Sequence, residues 1–171
     1  MEFIYSENNI GKCINHIEKF CNESKENILK IIGVGCDIRE HFYDSFAKKY
    51  LFKNEKKTIE LEIILLNNAI NLFFPVSFQL SAISLDSNKH NSYDIIYFCC
   101  AMNGDKDDIF KYIRYAKQLL KTKNSNLIIL DNENKKIITE SGFKSLGDFI
   151  KQDTGLEFRY VHNETTDKCF L

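Results

Sequence analysis

Residues 92–103 read SYDIIYFCCAMN, and residues 107–131, a few positions on, read DDIFKYIRYAKQLLKTKNSNLIILD. The first stretch is apolar at consecutive positions rather than alternate ones, the pattern of a strand covered on both faces. The second opens on acidic residues and carries Ile109, Ile113, Ala116, Leu119 and Leu120 at spacings that repeat a helical stripe. It then passes through lysines and ends in the apolar run 127–130. That is an amphipathic helix with its dipole compensated at both ends, followed by a second buried strand. A strand, a helix and another strand covered on both faces form a parallel crossover unit, and a parallel sheet needs helices on both sides.

The rest of the chain extends this unit. Residues 27–35, NILKIIGVG, read as a buried strand stopping at a tight turn. Ahead of it, Ile10, Cys13, Ile14, Ile17, Phe20 and Cys21 repeat at three and four, predicting a helix over residues 7–23. After it, Asp37 is placed to cap a helix through Leu51, with Phe42, Phe46 and Tyr50 four apart on one face. Residues 58–74 fit two patterns, either a strand to Leu66 with a short helix over 67–74, which is the expectation, or one long helix. Pro75 ends either one. Val76, Phe78, Leu80 and Ala82 alternate as a strand, a weaker helix is expected over 139–151, and residues 156–161 and 168–171 read as a strand pair around NETTD. The expected architecture is one α/β domain over residues 1–171. It is a three-layer sandwich with a mostly parallel Rossmann-like sheet, a C-terminal antiparallel hairpin, and the helix within residues 1–26 packed on it.

Composition limits the function. With 171 residues, 44% of them hydrophobic, and only seven Gly and one Pro, the chain belongs to neither the fibrous nor the disordered classes. A net charge of −1 supplies no global field for nucleic acid or an anionic membrane. The paired lysines at 48–49, 56–57 and 135–136 read as solvated faces. No window suits a membrane span and residues 1–10 lack the regions of a secretion signal, so the expected location is the cytoplasm. Six cysteines in that compartment are expected as thiols. Cys13 and Cys21 share a helical face with Ile17 while His16 points aside, which argues for core packing over a metal site. Asp105, Asp107 and Asp108 are explained by capping and dipole compensation.

Ligands of open parallel sheets bind beyond the carboxyl ends of the strands, where strand order reverses. That directs attention to residues 33–37, 67–68, 84–86 and 100–105. The order and lengths of residues 92–103 and 107–131, together with IIGVGCD at 31–37, resemble the class I, Rossmann-like S-adenosylmethionine-dependent methyltransferases. The resemblance spans nearly the whole chain. It implies an opening helix, a seven-stranded sheet closing in an antiparallel hairpin, S-adenosylmethionine as cofactor and a small-molecule substrate. In the family the fourth strand ends beside the donor sulfonium, which here assigns Cys100, Ala101, Met102 and Asn103 to the pocket wall. The family's acidic-x-Gly-x-Gly-x-Gly loop maps Gly33 and Gly35 onto its first two glycines, with Cys36 between them and Asp37, which stands in place of the third. Ile31 stands where the acidic residue is expected. Asn67 takes the place of the carboxylate that holds the ribose hydroxyls, and Asp86 is a displaced candidate for holding the adenine. No proton-transfer residue is identified, and methyl transfer by positioning does not demand one. The altered loop also fits a catalytically inactive module acting as a subunit or interaction domain with a protein partner. A different nucleotide-binding α/β domain is a third reading, weakened because neither a GxGxxG nor a GxxxxGK[ST] loop is complete.

Overall fold

Chain segments with no polar side chain to solvate must be covered on both faces, and those segments form the middle of the sheet. The computed structural model describes residues 2–7, 10–35, 44, 46–65, 76–99, 101, 106–131, 158–161 and 168–170. In chain order the elements are β1 (Glu2–Glu7), α1 (Ile10–Glu23), β2 (Ile28–Gly35), α2 (Lys48–Lys53), β3 (Thr58–Leu65), α3 (Val76–Ser84), β4 (Ile95–Cys99), α4 (Lys106–Leu119), β5 (Asn126–Asp131), β6 (Phe158–Val161) and β7 (Lys168–Phe170). The sheet order is β3-β2-β4-β5-β1-β6-β7. The expected central neighbours are in place: β2 pairs with β4 in parallel, Ile31 opposite Ile95, and β4 pairs with β5 in parallel, Ile96 opposite Leu127. β3 joins β2 and β1 joins β5, both in parallel, and β6 runs parallel to β1. β7 pairs with β6 in the antiparallel sense, Tyr160 opposite Cys169.

Alternation along the strands divides the core in two. Ile32, Val34, Ile96, Phe98, Leu127 and Ile129 face α3 and α4, packing on Leu80, Ile109, Ile113 and Ala116. Leu29, Ile31, Ile95, Tyr97, Ile128 and Leu130 face α1 and α2, packing on Cys13, Ile17, Cys21, Phe46 and Tyr50. Helices therefore cover both faces, the three-layer α/β arrangement. The topology explains which helix goes where. The steps β1 to β2 and β2 to β3 move one way along the sheet and use α1 and α2. The steps β3 to β4 and β4 to β5 move the other way and use α3 and α4. A single crossover hand requires this division between faces. The direction of winding reverses once among these steps, between β2 and β4.

Two expectations need correction. Residues 76–84 form a helix, α3, rather than a strand. Leu80 is buried against α4 and Ile83 packs beside it, a spacing of three that the alternating pattern of 76–82 conceals. Residues 2–7, read only for the lack of a secretion signal, form β1 and sit inside the sheet between β5 and β6. By contrast residues 58–65 are a strand, as expected, and the buried stripe of α4 is Ile109, Ile113, Ala116 and Leu119. Of the helix expected from Asp37 through Leu51, the described part includes α2, and Phe46 and Tyr50 are buried with ring centroids 5.2 Å apart. Its first turns, the helices expected over 67–74 and 139–151, and the NETTD turn lie outside the described residues.

Candidate functional site

The reversal of winding puts the ends of β2 and β4 side by side, with the helices that follow them on opposite faces of the sheet. Such a divergence opens the crevice in which parallel sheets hold ligands. Gly33 lies opposite Tyr97, and Gly35, the last residue of β2, lies opposite Cys99, the last residue of β4. Gly35 has φ +138, and a Cβ there would come within 1.9 Å of the Cys99 carbonyl oxygen. The conformation and the close strand approach both demand glycine. Ala101, two residues past Cys99, is fully buried. The described residues at this end of β2, β3 and β4 are thus small or apolar: Gly33, Val34, Gly35, Ile64, Phe98 and Ala101. Cys99 is buried among them.

Of the residues expected at the site, Gly33, Gly35 and Ala101 converge at the crossing point. Asp86 does not join them. It lies exposed beyond α3, on the way back to the amino end of β4, where its carboxylate accepts the Asn88 N–H and caps the turn Ser87–Lys89. Because α3 is a helix, its run from residue 76 delivers Asp86 to the far end of the sheet, and the assignment to adenine is corrected accordingly. Cys36, Asp37, Asn67, Cys100 and Met102 lie outside the described residues.

The charged chemistry of the described residues gathers at the opposite, amino end of the sheet. Asp94, buried just ahead of β4, accepts the Lys30 N–H at 2.9 Å and the Lys121 ammonium at 2.7 Å. Its backbone N–H donates to the Lys30 carbonyl and its carbonyl accepts from Asn126, so one residue ties the entries of β2, β4 and β5 together. A single carboxylate inside an otherwise apolar strand is the signal that could have found it, since a buried charge must be paired. A cleft of about 710 Å³ opens over this pair between Phe20, Ser24, Lys123 and Asn124. A second cleft of about 440 Å³ lies over β3, where Glu62 accepts from the Tyr93 hydroxyl and from Lys89 at 3.2 Å. Burial first, and then the Glu62 carboxylate, hold the Tyr93 phenol well above its usual value. In both clefts the charges named are matched within the chain, which suits holding strands in register. Cys21, buried under α1, has its thiol pushed up to about 12, chiefly by burial, with Lys57 opposing.

Among the described residues no three His, Cys, Asp or Glu side chains are placed to hold a metal ion, and no helix is long and apolar enough to cross a membrane. No protein-family model and no curated protein matches the chain.

Proposed function

We propose that this chain is a methyltransferase-like protein that binds S-adenosylmethionine at the carboxyl ends of β2 and β4 and acts on a small molecule in the cytoplasm. The reading rests on one observation: Gly33, Gly35 and Ala101, which the family resemblance assigns to the cofactor pocket, converge where the strand order reverses. The bound cofactor supplies an activated methyl group on a sulfonium. The described residues suit that group in kind, because small and apolar side chains such as Val34 and Ala101 provide a low-polarity surrounding for a sulfonium. Their role is to position and to exclude water, and no described titratable side chain at this end serves as a base.

A second reading, a catalytically silent module that engages a protein partner, is favoured by the packing of Gly35. Its close approach to Cys99 demands glycine whether or not a ligand binds. The two readings separate by calorimetric titration of the unaltered protein with S-adenosylmethionine and S-adenosylhomocysteine, with ATP as a control nucleotide. Micromolar binding of the adenosyl thioethers but not of ATP is the expected result, accompanied by slowed amide exchange at residues 97–99. At a ligand concentration a hundredfold above Kd the protein gains about 2.7 kcal/mol, visible as a higher melting temperature. No heat and no thermal shift at millimolar ligand refutes the first reading. A bulky replacement of Gly35 is unsuitable as the blocking variant, because it disrupts the β2–β4 pairing before it reaches any ligand.

A further inference from the structure

β3 is the terminal strand of the sheet, and no described strand pairs with its outer edge. It is eight residues long, TIELEIIL, so its outward backbone groups form an open template for strand addition. We propose that a second copy of this chain occupies that edge, in an antiparallel two-fold pairing centred on Ile63.

The backbone fixes which groups are available. The Thr58 N–H donates to the Asn27 carbonyl at 2.7 Å, on the β2 side. Backbone direction alternates along a strand, so residues 58, 60, 62 and 64 turn their groups toward β2, and 59, 61, 63 and 65 turn theirs outward. Side chains then select the register. Directly opposed residues in an antiparallel pair share a face, which restricts a two-fold pairing to centres lying on a residue. Centring on Leu61 sets Glu60 against Glu62 of the other copy, twice over. Centring on Glu62 sets that carboxylate against itself. Like charges directly opposed are destabilising, so both registers are disfavoured. Centring on Ile63 places Glu62 opposite Ile64, pairs residue 61 with residue 65, and lets each Ile63 exchange both backbone hydrogen bonds with its counterpart. Moving the centre further toward the strand end shortens the ladder.

Exposure and charge favour this occupant over a basic foreign strand. Ile63 is 39% exposed although the neighbouring Ile59 and Leu61 pack against the core, and the Ile63 pairing covers it. The acidic residues of the edge face lysines of their own chain, Lys30 at 3.9 Å from Glu60 and Lys89 at 3.2 Å from Glu62, with which a basic foreign strand would have to compete.

Sedimentation velocity over a concentration series tests the pairing, with a species of twice the 20.0 kDa chain mass expected. The amides of Leu61 and Ile63 are expected to gain exchange protection as concentration rises. Ile63→Lys, which brings two ammonium groups together at the axis, is expected to sediment as a single chain. Ile28→Lys, a change at a side chain 50% exposed on the adjacent strand, is expected to leave the dimer intact. A single chain at every concentration overturns the proposal, as does a dimer that persists in Ile63→Lys. Should Ile63→Lys not fold, the amides of the unaltered chain decide: protection independent of concentration refutes the edge pairing.

Discussion

Gly35→Ala adds one methyl group at the end of β2. The φ of +138 is a conformation that costs an L residue on the order of 1–3 kcal/mol. The new Cβ would also sit 1.9 Å from the Cys99 carbonyl oxygen. Carbon and carbonyl oxygen ordinarily meet at about 3.3 Å or more, so the strands must part by about 1.4 Å at this point. Parting them loosens the last rung of the β2–β4 ladder, where a buried backbone group left without a partner costs about 1–3 kcal/mol. Together these give a loss of about 2–6 kcal/mol, a large share of the 5–15 kcal/mol typical of a domain. For a chain of this size the melting temperature is expected to fall by about 4–24 °C. Urea unfolding followed by circular dichroism measures the change directly. Gly11→Ala is the internal control: Gly11 is exposed in the first turn of α1, and there the same methyl group raises stability by at most about 1 kcal/mol. If Gly35→Ala unfolds within about 0.5 kcal/mol of the parent, the end of β2 does not press on β4, and the account of the crossing point is wrong.

Two further predictions concern the rest of the core. Asp94→Ala leaves the Lys30 N–H without its acceptor and Lys121 without its counter-ion, and is expected to cost about 3 kcal/mol. A double-mutant cycle with Lys121→Met should return a coupling of about 1 kcal/mol, held to the low end because the Lys121 side chain is one-third exposed, and additive losses would dismiss the pairing as a stabilising contact. Cys21 gives stability a defined alkaline limit. Its folded thiol is raised from 9.0 to about 12, so the unfolded chain loses its proton first as pH climbs past 9. The contribution is fully present below pH 9 and is lost as the pH rises toward about 12. Denaturant titrations at successive alkaline pH values should show this decline, and Cys21→Ala should make it shallower, the remainder coming from phenols such as Tyr93 that are also raised; an unchanged slope in the variant would assign the decline to other groups.

What was legible in the sequence was local. The segments 30–34, 95–99 and 127–130 contain few or no polar side chains, and such a segment is unfavourable anywhere but the middle of a sheet. α1 and α4 show the helical period because one side of each meets the core and the other meets water, a contrast written directly into residue order. These segments were enough to give parallel β2, β4 and β5 covered by helices, and with them the crossing point where Gly33 and Gly35 stand.

Tertiary structure alone decided the remainder. In 76–84 the apolar residues satisfy a period of two and a helical spacing at once, and the choice falls to α4, which offers Leu80 and Ile83 a surface that a strand beside β3 would not reach. That choice carries Asp86 away from the crossing point and leaves β3 as an edge. The place of β1 is equally nonlocal, since six residues, EFIYSE, form a strand only because β5 and β6 supply backbone partners on either side. Periodicity records which side of an element is dry; it carries no information about which distant element lies alongside it, and that pairing determines where charged residues such as Asp86 and Asp94 come to rest.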